Sequence, residues 1–257
     1  MHARIIHVAI YLADIVAFID DLLDVGSFDE GEPCNGLMLD AGRPVGRLAA
    51  AVNTSFASIR GAASAKAQLL LVHHTTSQSI DRALKREKER ALRDAGVSLY
   101  GAHAALDCSA GFGNGSQLAG LLGLQVEGRF APYAGGLAGV YGRIGGTFAG
   151  LVQQVEALLE VPIESWENND AFGRVGIVTG AGGMTPMLEE ARSLGCDTYL
   201  TGEGSMYTKL FAREAGLNLI LGTHYATEMH GVQALAAHVS EHFGVPWVFV
   251  REDPDIL

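Results

Sequence analysis

Apolar segments of strand length alternate with amphipathic segments along most of the chain. Residues 67–72, AQLLLV, form a continuous apolar run, as in a strand buried on both faces of a parallel sheet. Helical spacing of apolar residues over 12–23, and a charged segment over 80–95, indicate helices. This alternation predicts an α/β fold with mainly parallel sheets. The 33 glycines fit frequent tight turns between such elements.

Further elements are assigned on the same grounds. Helices are expected at 47–59, 116–122, 151–159, 186–194 and 228–243. Strands are expected at 97–100, 137–144, 175–179, 198–201, 217–221 and 247–250. The composition becomes rich in glycine between 128 and 150, so we expect a first α/β domain over 1–127 and a second over 128–257.

The charge balance argues against nucleic acid as a partner. The formal net charge is −11, and the most basic segment, residues 82–93, alternates Lys and Arg with Glu. Nucleic-acid binding draws its affinity from neutralised phosphates, which requires a dense basic surface. The segment instead fits a solvated helix face.

Composition also bears on the compartment. No apolar run approaches the ~20 residues that span a bilayer, and His7 and Asp14 break the apolar start of the chain. The three cysteines, Cys34, Cys108 and Cys196, are widely spaced and form no CxxC pair, which fits a reducing compartment. We therefore expect a cytoplasmic protein without a membrane partner.

Residue types that bind metals follow three of the expected strands. Two histidines follow the run at 69–72, and a histidine with a carboxylate four residues later follows both 97–100 and 217–221. The residues concerned are His73, His74, His103, Asp107, His224 and Glu228. Ligands of open α/β sheets bind outside the carboxyl ends of the strands, so these side chains are expected to share one site.

The spacings of these residues favour two metal ions. Adjacent His73 and His74 point to opposite sides of a strand, so each can hold one of two ions. A spacing of four puts histidine and carboxylate on one helical face. Three or four imidazoles with two carboxylates suit Zn, Fe, Mn or Ni. Scattered structural histidines are the alternative, and for any one histidine alone that alternative is the better one.

Six segments resemble the Nif-three-like proteins, also known as GTP cyclohydrolase I type 2 homologues. The resemblance covers nearly the whole chain, and six motifs in order make it specific. They are PCNGL at 33–37, LLVHH at 70–74, LYGAHAALD at 99–107, GNGSQL at 113–118, DTYLTGE at 197–203 and GTHYATE at 222–228.

The resemblance implies two intertwined α/β domains with a dinuclear metal site in the cleft between them, and a ring-shaped homohexamer. It places two divalent ions per chain on His73, His74, Asp107, His224 and Glu228, with Glu228 bridging. His103 would lie beside the metals. The sequence departs from many members at 75–77, TTS, which borders the site and concerns substrate preference.

The segment Gly180–Thr185 has a separate motif. It follows an expected strand and precedes a helix with Thr185 as N-cap and Pro186 at the first position. Such a loop can bind an anion. It lacks the glycines of a dinucleotide fingerprint and the Gly-Lys-Ser/Thr of a P-loop, so a tight turn alone is the favoured interpretation.

These observations favour a metal-dependent hydrolase of a small anionic substrate, phosphorylated or heterocyclic. His103 and Glu203 are the candidate proton shuttles. The alternatives are a non-catalytic metal-binding or metal-delivery protein and an interaction scaffold with structural metals. Structural zinc sites are usually closed and rich in cysteine, which this ligand set is not.

Overall fold

The computed structural model describes residues 10–28, 34–76 and 83–252. They fall into two compact units, the first containing the described residues up to 106 together with 232–252, and the second containing 107–231. The start of the chain, Pro33 of the PCNGL motif and the first part of the helix expected over 80–95 lie outside the described residues.

The first unit contains a five-stranded sheet and the helices around it. Its strands are β1 (Gly36–Leu39), β2 (Leu48–Asn53), β3 (Leu69–His74), β4 (Ser98–Gly101) and β11 (Trp247–Phe249). Its helices are α1 (Leu12–Leu22), α2 (Phe56–Ser64), α3 (Lys85–Ala95) and most of α4 (Ala104–Asp107), with the later part of α9 (His224–Phe243).

The order of this sheet is β1-β4-β3-β2-β11, and every pair except β1–β4 is parallel. The pairing of β11 with β2 explains why residues 232–252 belong to the first unit. The division therefore falls at 106/107 and 231/232, whereas the glycine-rich composition had indicated 127/128. Amino-acid composition cannot indicate that a strand near the other end of the sequence, β11, pairs with β2.

The prediction of a helix over 47–59 is wrong, because this segment contains the whole of β2 and only the first turn of α2. Leu48 to Val52 are fully buried in β2, between β3 and β11. Three consecutive alanines favour a helix locally, but tertiary pairing overrides that preference. The helix that follows, α2, begins after Ser55, whose side chain accepts from Ser58 N in a capping box.

The second unit is a continuous segment of the sequence with a six-stranded sheet. Its strands are β5 (Gln125–Tyr133), β6 (Gly136–Arg143), β7 (Glu164–Trp166), β8 (Arg174–Val178), β9 (Thr198–Thr201) and β10 (Asn218–Leu221). Its helices are α5 (Asn114–Leu122), α6 (Phe148–Leu159), α7 (Thr185–Ser193), α8 (Met206–Glu214) and the start of α9.

The second sheet is mixed rather than mainly parallel. In the order β5-β6-β8-β9-β10-β7, only β8–β9 and β9–β10 are parallel. Strands β5 and β6 form a hairpin whose two turn residues, Ala134 and Gly135, both have positive φ, as two-residue hairpin turns require. The glycine-rich segment is thus part of this hairpin and not a linker between domains.

The three parallel strands of the second unit nevertheless follow the expected α/β pattern. β8, β9 and β10 lead into α7, α8 and α9, so their carboxyl ends share one edge of the sheet. Among the described helices, none combines the length and the apolar character needed to cross a bilayer.

Candidate metal centre

Three histidines of the first unit form what we call the histidine cluster: His73, His74 and His103. His73 and His74 end β3, and His103 follows β4, the parallel neighbour of β3. One ring nitrogen of each lies within 4.8 Å of the others. The expectation that strand alternation separates His73 from His74 does not hold for their rings, whose centroids are 4.7 Å apart.

Hydrogen bonds fix the tautomers of His73 and His74. His73 Nδ1 lies 2.8 Å from the carbonyl oxygen of Ala102, which can only accept. His74 Nδ1 lies 2.7 Å from Asn53 Oδ1. The orientation of the Asn53 amide is set in turn, since its Nδ2 donates to Glu252 Oε2 at 2.6 Å. Both imidazoles therefore carry their proton on Nδ1, which makes Nε2 the atom that could bind a metal.

Asn35 positions the segment that carries His103. Its Oδ1 accepts from His103 N at 2.8 Å and from Ala105 N at 3.2 Å. These are among the first amides of the short helix α4, which lack partners within the helix. A side chain just before β1 thus sets where α4 starts and where His103 lies.

Three residues of the second unit form what we call the carboxylate cluster: Asp107, His224 and Glu228. His224 and Glu228 are one turn apart at the start of α9, and His224 Nε2 lies 3.2 Å from Glu228 Oε2. Carboxylate oxygens of Asp107 and Glu228 approach within 4.8 Å. Glu228 is 4% exposed and neighbours both other members, so it is the centre of this cluster.

The backbone near His224 and Glu228 is strained at one residue and closely packed at another. Thr223, which precedes α9, has φ 63°, a conformation that is strained for a β-branched residue. Gly180, at the end of β8, has φ 60°, and a Cβ there would overlap Glu228 Oε1. Only glycine leaves room for the carboxylate at this position. Backbone strain and close approach at one point are common at functional sites.

Glu203 holds the other side of the His224 ring. Its Oε1 lies 2.8 Å from His224 Nδ1. Burial alone lowers the pKa of His224, but hydrogen bonds and charges from Glu228 and then Glu203 outweigh it and raise that pKa to about 9. Without a metal, His224 at neutral pH therefore carries a proton on each nitrogen and donates to both carboxylates.

Asn114 links Asp107 to α9. The Asn114 side chain is fully buried, its Nδ2 donates to Asp107 Oδ1 at 2.9 Å, and its Oδ1 accepts from Gly231 N at 3.1 Å. A Cβ on Gly231 would overlap the amide oxygen of Asn114. One asparagine therefore fixes the Asp107 carboxylate relative to the helix that carries His224 and Glu228.

The donor sets fit transition-metal ions. In the histidine cluster, hydrogen bonds orient two Nε2 atoms in the manner of metal-binding imidazoles. In the carboxylate cluster, the 3.2 Å between His224 Nε2 and Glu228 Oε2 is close to the ~3.3 Å between two ligands that are each ~2.0–2.1 Å from one tetrahedral zinc ion. The described residues thus include histidine and carboxylate groups that could hold metal.

The expected metal ligands and His103 all fall in one of these two clusters. Glu203, the other candidate proton shuttle, lies outside both clusters and contacts His224. Sequence reasoning missed the residues that position them: Asn35, Asn53, Asn114, Gly180 and Glu252. Asn35 and Asn114 lie inside the motifs at 33–37 and 113–118, which was a usable signal. Asn53 and Glu252 lie in no such motif.

Residues 10–256 match the family model Duf34/NIF3 (NGG1p interacting factor 3). The chain belongs to this family. A protein of Deinococcus radiodurans, named GTP cyclohydrolase 1 type 2 homolog, is 33% identical over 246 residues, which cover 93% of this chain and 92% of the relative. A protein of Allochromatium vinosum with the same name is 35% identical over 247 residues, covering 93% and 95%.

Solved structures of other proteins share the fold of this chain. Protein ybgI, described as of unknown function, is 27% identical and superimposes with a TM-score of 0.85 over 95% of this chain and 100% of that chain. A structure of TTHA1606 from Thermus thermophilus is also 27% identical, with a TM-score of 0.78 over 94% and 98%. The sequence resemblance to the Nif-three-like family is thereby confirmed.

Proposed function

We propose that the histidine and carboxylate clusters together hold two divalent transition-metal ions, and that the protein is a metal-dependent hydrolase of a small anionic substrate. The ligands in this proposal are His73, His74, Asp107, His224 and Glu228, with Glu228 serving both ions. The observation that carries it is the orientation of the imidazoles. The Nδ1 atoms of His73, His74 and His224 are all held by oxygen acceptors.

The two clusters supply different kinds of metal ligand. The histidine cluster supplies neutral nitrogen donors, which select Zn, Fe, Mn or Ni over Ca and Mg. The carboxylate cluster supplies negative charge and, in Glu228, a carboxylate with two oxygens that can serve two ions. This division supports a dinuclear centre better than it supports two unrelated structural features.

Bound metals of this kind lower the pKa of a bound water towards ~7 and polarise an electrophile. The residues of the chain would prepare that chemistry. Glu203 would keep His224 in the tautomer that presents Nε2, and Asn114 would hold the Asp107 carboxylate in place. His103, next to His73 and His74, is the candidate to carry a proton to or from the substrate, provided that it is not itself a ligand.

Charge supports an anionic substrate. Two divalent ions on neutral imidazoles and two carboxylates leave a local charge of about +2, which dominates inside a cleft. The net charge of −11 acts from further away, and at 0.15 M salt it is screened beyond ~8 Å. The names of the relatives point to a nucleoside triphosphate, so GTP is the first substrate to test.

The test begins with metal content. Protein reconstituted under reducing conditions should carry close to two ions per chain by elemental analysis, because five ligands are one more than a single tetrahedral site uses. One ion or none would defeat the dinuclear proposal. Turnover is then measured with GTP, other nucleotides, pterins and phosphoesters, each against metal-stripped protein.

The outcomes separate the hydrolase from its rivals. Turnover that needs metal supports the hydrolase. Two bound ions without turnover, together with fast exchange of metal to a chelator, would support a delivery protein instead. Family resemblance also predicts a homohexamer, and a sedimentation mass equal to the 27.1 kDa monomer at micromolar concentration would contradict it.

A further inference from the structure

The second unit contains an open cavity of about 910 Å³ beside the carboxylate cluster. The loops that follow β8 and β9 form its walls, together with Pro162, Glu164 and the end of β10. Glu203, which holds His224, is one of its lining residues, and Thr223, which precedes His224, is another. Its volume lies within the range of about 300–1,000 Å³ that is usual for small-molecule sites.

Apolar surfaces border this cavity on more than one side. Tyr207 and Met184 are 65% and 56% exposed although both are large and apolar. Pro162, Pro186 and Leu221 add further apolar wall. An aromatic ring and a thioether of this kind favour contact with the faces of a planar ligand.

The charged groups of the lining are carboxylates. Glu164 and Glu203 both line the cavity, and none of its lining residues within the described 162–223 is Lys or Arg. Each carboxylate uses one oxygen inside the protein: Lys209 Nζ lies 2.7 Å from Glu164 Oε2, and His224 Nδ1 lies 2.8 Å from Glu203 Oε1. The second oxygen of each can accept a hydrogen bond from a ligand.

Several backbone amides beside the cavity donate hydrogen bonds within the protein, although their residues are not part of its lining. Gly180 N donates to Thr227 Oγ1, and Met187 N and Leu188 N go to the carbonyl of Met184. Pro186 has no amide proton. The expected N-cap Thr185 is therefore corrected to Met184, which makes no side-chain cap.

We propose that this cavity binds a planar group that donates N–H hydrogen bonds, amidine-like or aminopyrimidine-like, in preference to an anion of the same shape. Tyr207 and Met184 contact the faces of the group, while Glu203 and Glu164 accept from its edge. Paired N–H donors on a planar edge match a carboxylate, and a positive charge strengthens the contact.

The binding property stands on the cavity alone, and its link to catalysis rests on the proposed function. In that function the substrate has two ends. Its anionic end meets the metals, and its N–H-bearing ring enters the cavity. The anionic end of the substrate then lies at the proposed metals, and its N–H donors face Glu203 and Glu164.

Three probes of one shape and different charge test the proposal. Benzamidine is a planar cation, benzamide is neutral and benzoate is an anion. Ligand-observed NMR titrations are run on the full chain, both metal-stripped and metal-loaded. We expect benzamidine to bind metal-stripped protein with a dissociation constant on the order of millimolar, as its size allows, benzamide more weakly, and benzoate not at all.

Variants locate the binding. Glu203→Gln keeps an acceptor for His224 but removes the charge, and it should weaken benzamidine about tenfold, the loss expected of one charge-assisted contact. Glu164→Gln gives an independent measurement at the other carboxylate. Glu156→Gln is the control, because Glu156 is exposed on α6 and does not line the cavity.

Equal affinity of metal-stripped protein for benzamidine and benzoate, or benzamidine binding that neither cavity variant changes, would overturn the proposal. So would tighter binding of benzoate than of benzamidine to metal-stripped protein. These results are independent of metal content and turnover. A protein without metals or activity that still binds benzamidine through Glu203 would refute the hydrolase and leave the cavity assignment standing.

Discussion

Groups outside the cluster orient His73 and His74 of the histidine cluster, whereas in the carboxylate cluster two members, His224 and Glu228, also contact each other. The carbonyl oxygen of Ala102 accepts a hydrogen bond from His73 Nδ1, and Asn53 Oδ1 accepts one from His74 Nδ1. In the carboxylate cluster, His224 Nε2 faces Glu228 directly at 3.2 Å. The first cluster thus resembles a preformed nitrogen site, while the second is an ion pair in which a proton stands where a metal would bind.

This difference teaches where substitutions should matter. In the histidine cluster, the positioning residues can be changed while every ligand atom stays in the chain. In the carboxylate cluster, the ligand Glu228 is also a partner of His224, so replacing it alters geometry, charge and pKa together. Four substitutions test the contrast, and they are ordered here by the size of the expected effect.

The largest effect is expected for Glu228→Gln. It removes the carboxylate that is proposed to serve both ions, so metal content by elemental analysis should fall to near zero. His103→Ala should weaken metal affinity only ~10–100-fold, as loss of a residue beside the ligands does. If His103→Ala empties the protein while Glu228→Gln keeps its metal, the two roles are inverted and His103 is a ligand.

The next effect concerns Asn114→Ala in the second unit. It leaves the Asp107 carboxylate and the buried Gly231 amide without this partner, which costs about 1–3 kcal/mol for a buried group. Denaturant unfolding of metal-stripped protein measures the loss. Gln117→Ala is the matched control on the same helix, because its hydrogen bond to Gly111 is exposed and should change stability by less than about 0.5 kcal/mol.

Equal stability of the Asn114→Ala and Gln117→Ala variants would mean that Asn114 does not hold the carboxylate cluster. Gly231→Ala offers a second way to disturb the same contact, since its Cβ would displace the asparagine amide. Agreement between the two substitutions would tie the loss to this contact and not to α5 alone.

The contrast also shows what the sequence could predict. The ligand-type residues were recognisable because parallel strands align their carboxyl ends, and β3, β4 and β10 have the apolar runs of buried strands. The positioning residues were harder, since Asn53 acts only because β2 pairs with β3 and brings residue 53 opposite residue 74. A register of this kind depends on long-range pairing, which no local pattern reports.

The fold errors have the same origin. A helix was expected at residues 48–52 because alanine favours helices. These residues form β2 because they pair with β3 and β11 on either side. The hairpin of β5 and β6 was half recognised, because β6 was expected but β5, with exposed residues at its start, lacks a buried run. Local propensity fails wherever a tertiary partner decides the conformation.

A third substitution, Asn53→Ala, tests the histidine cluster. It removes the acceptor for His74 Nδ1, so the imidazole loses its fixed tautomer and orientation. Metal affinity, measured by competition with a chelator, should fall about tenfold, the lower end of what such outer partners contribute. Because the ligand itself remains, the number of ions bound at saturation should stay unchanged. A lower number at saturation would show that the histidine cluster is not preformed.

The smallest effect is expected for Glu252→Gln, which acts on His74 only through Asn53. Glu252 is 4% exposed and accepts from both Asn53 Nδ2 and Asn53 N, at 2.6 and 3.2 Å. Glutamine keeps an oxygen acceptor but loses the charge, so affinity for metal should fall only about two- to fivefold, the difference between a charged and a neutral hydrogen bond. The decisive measurement is the double variant with Asn53→Ala. If Glu252 works through Asn53, the second change should add nothing to the first, because residues of one hydrogen-bond network are not additive. Full additivity would mean that Glu252 affects metal binding by its charge alone, and the proposed chain from Glu252 through Asn53 to His74 would be wrong.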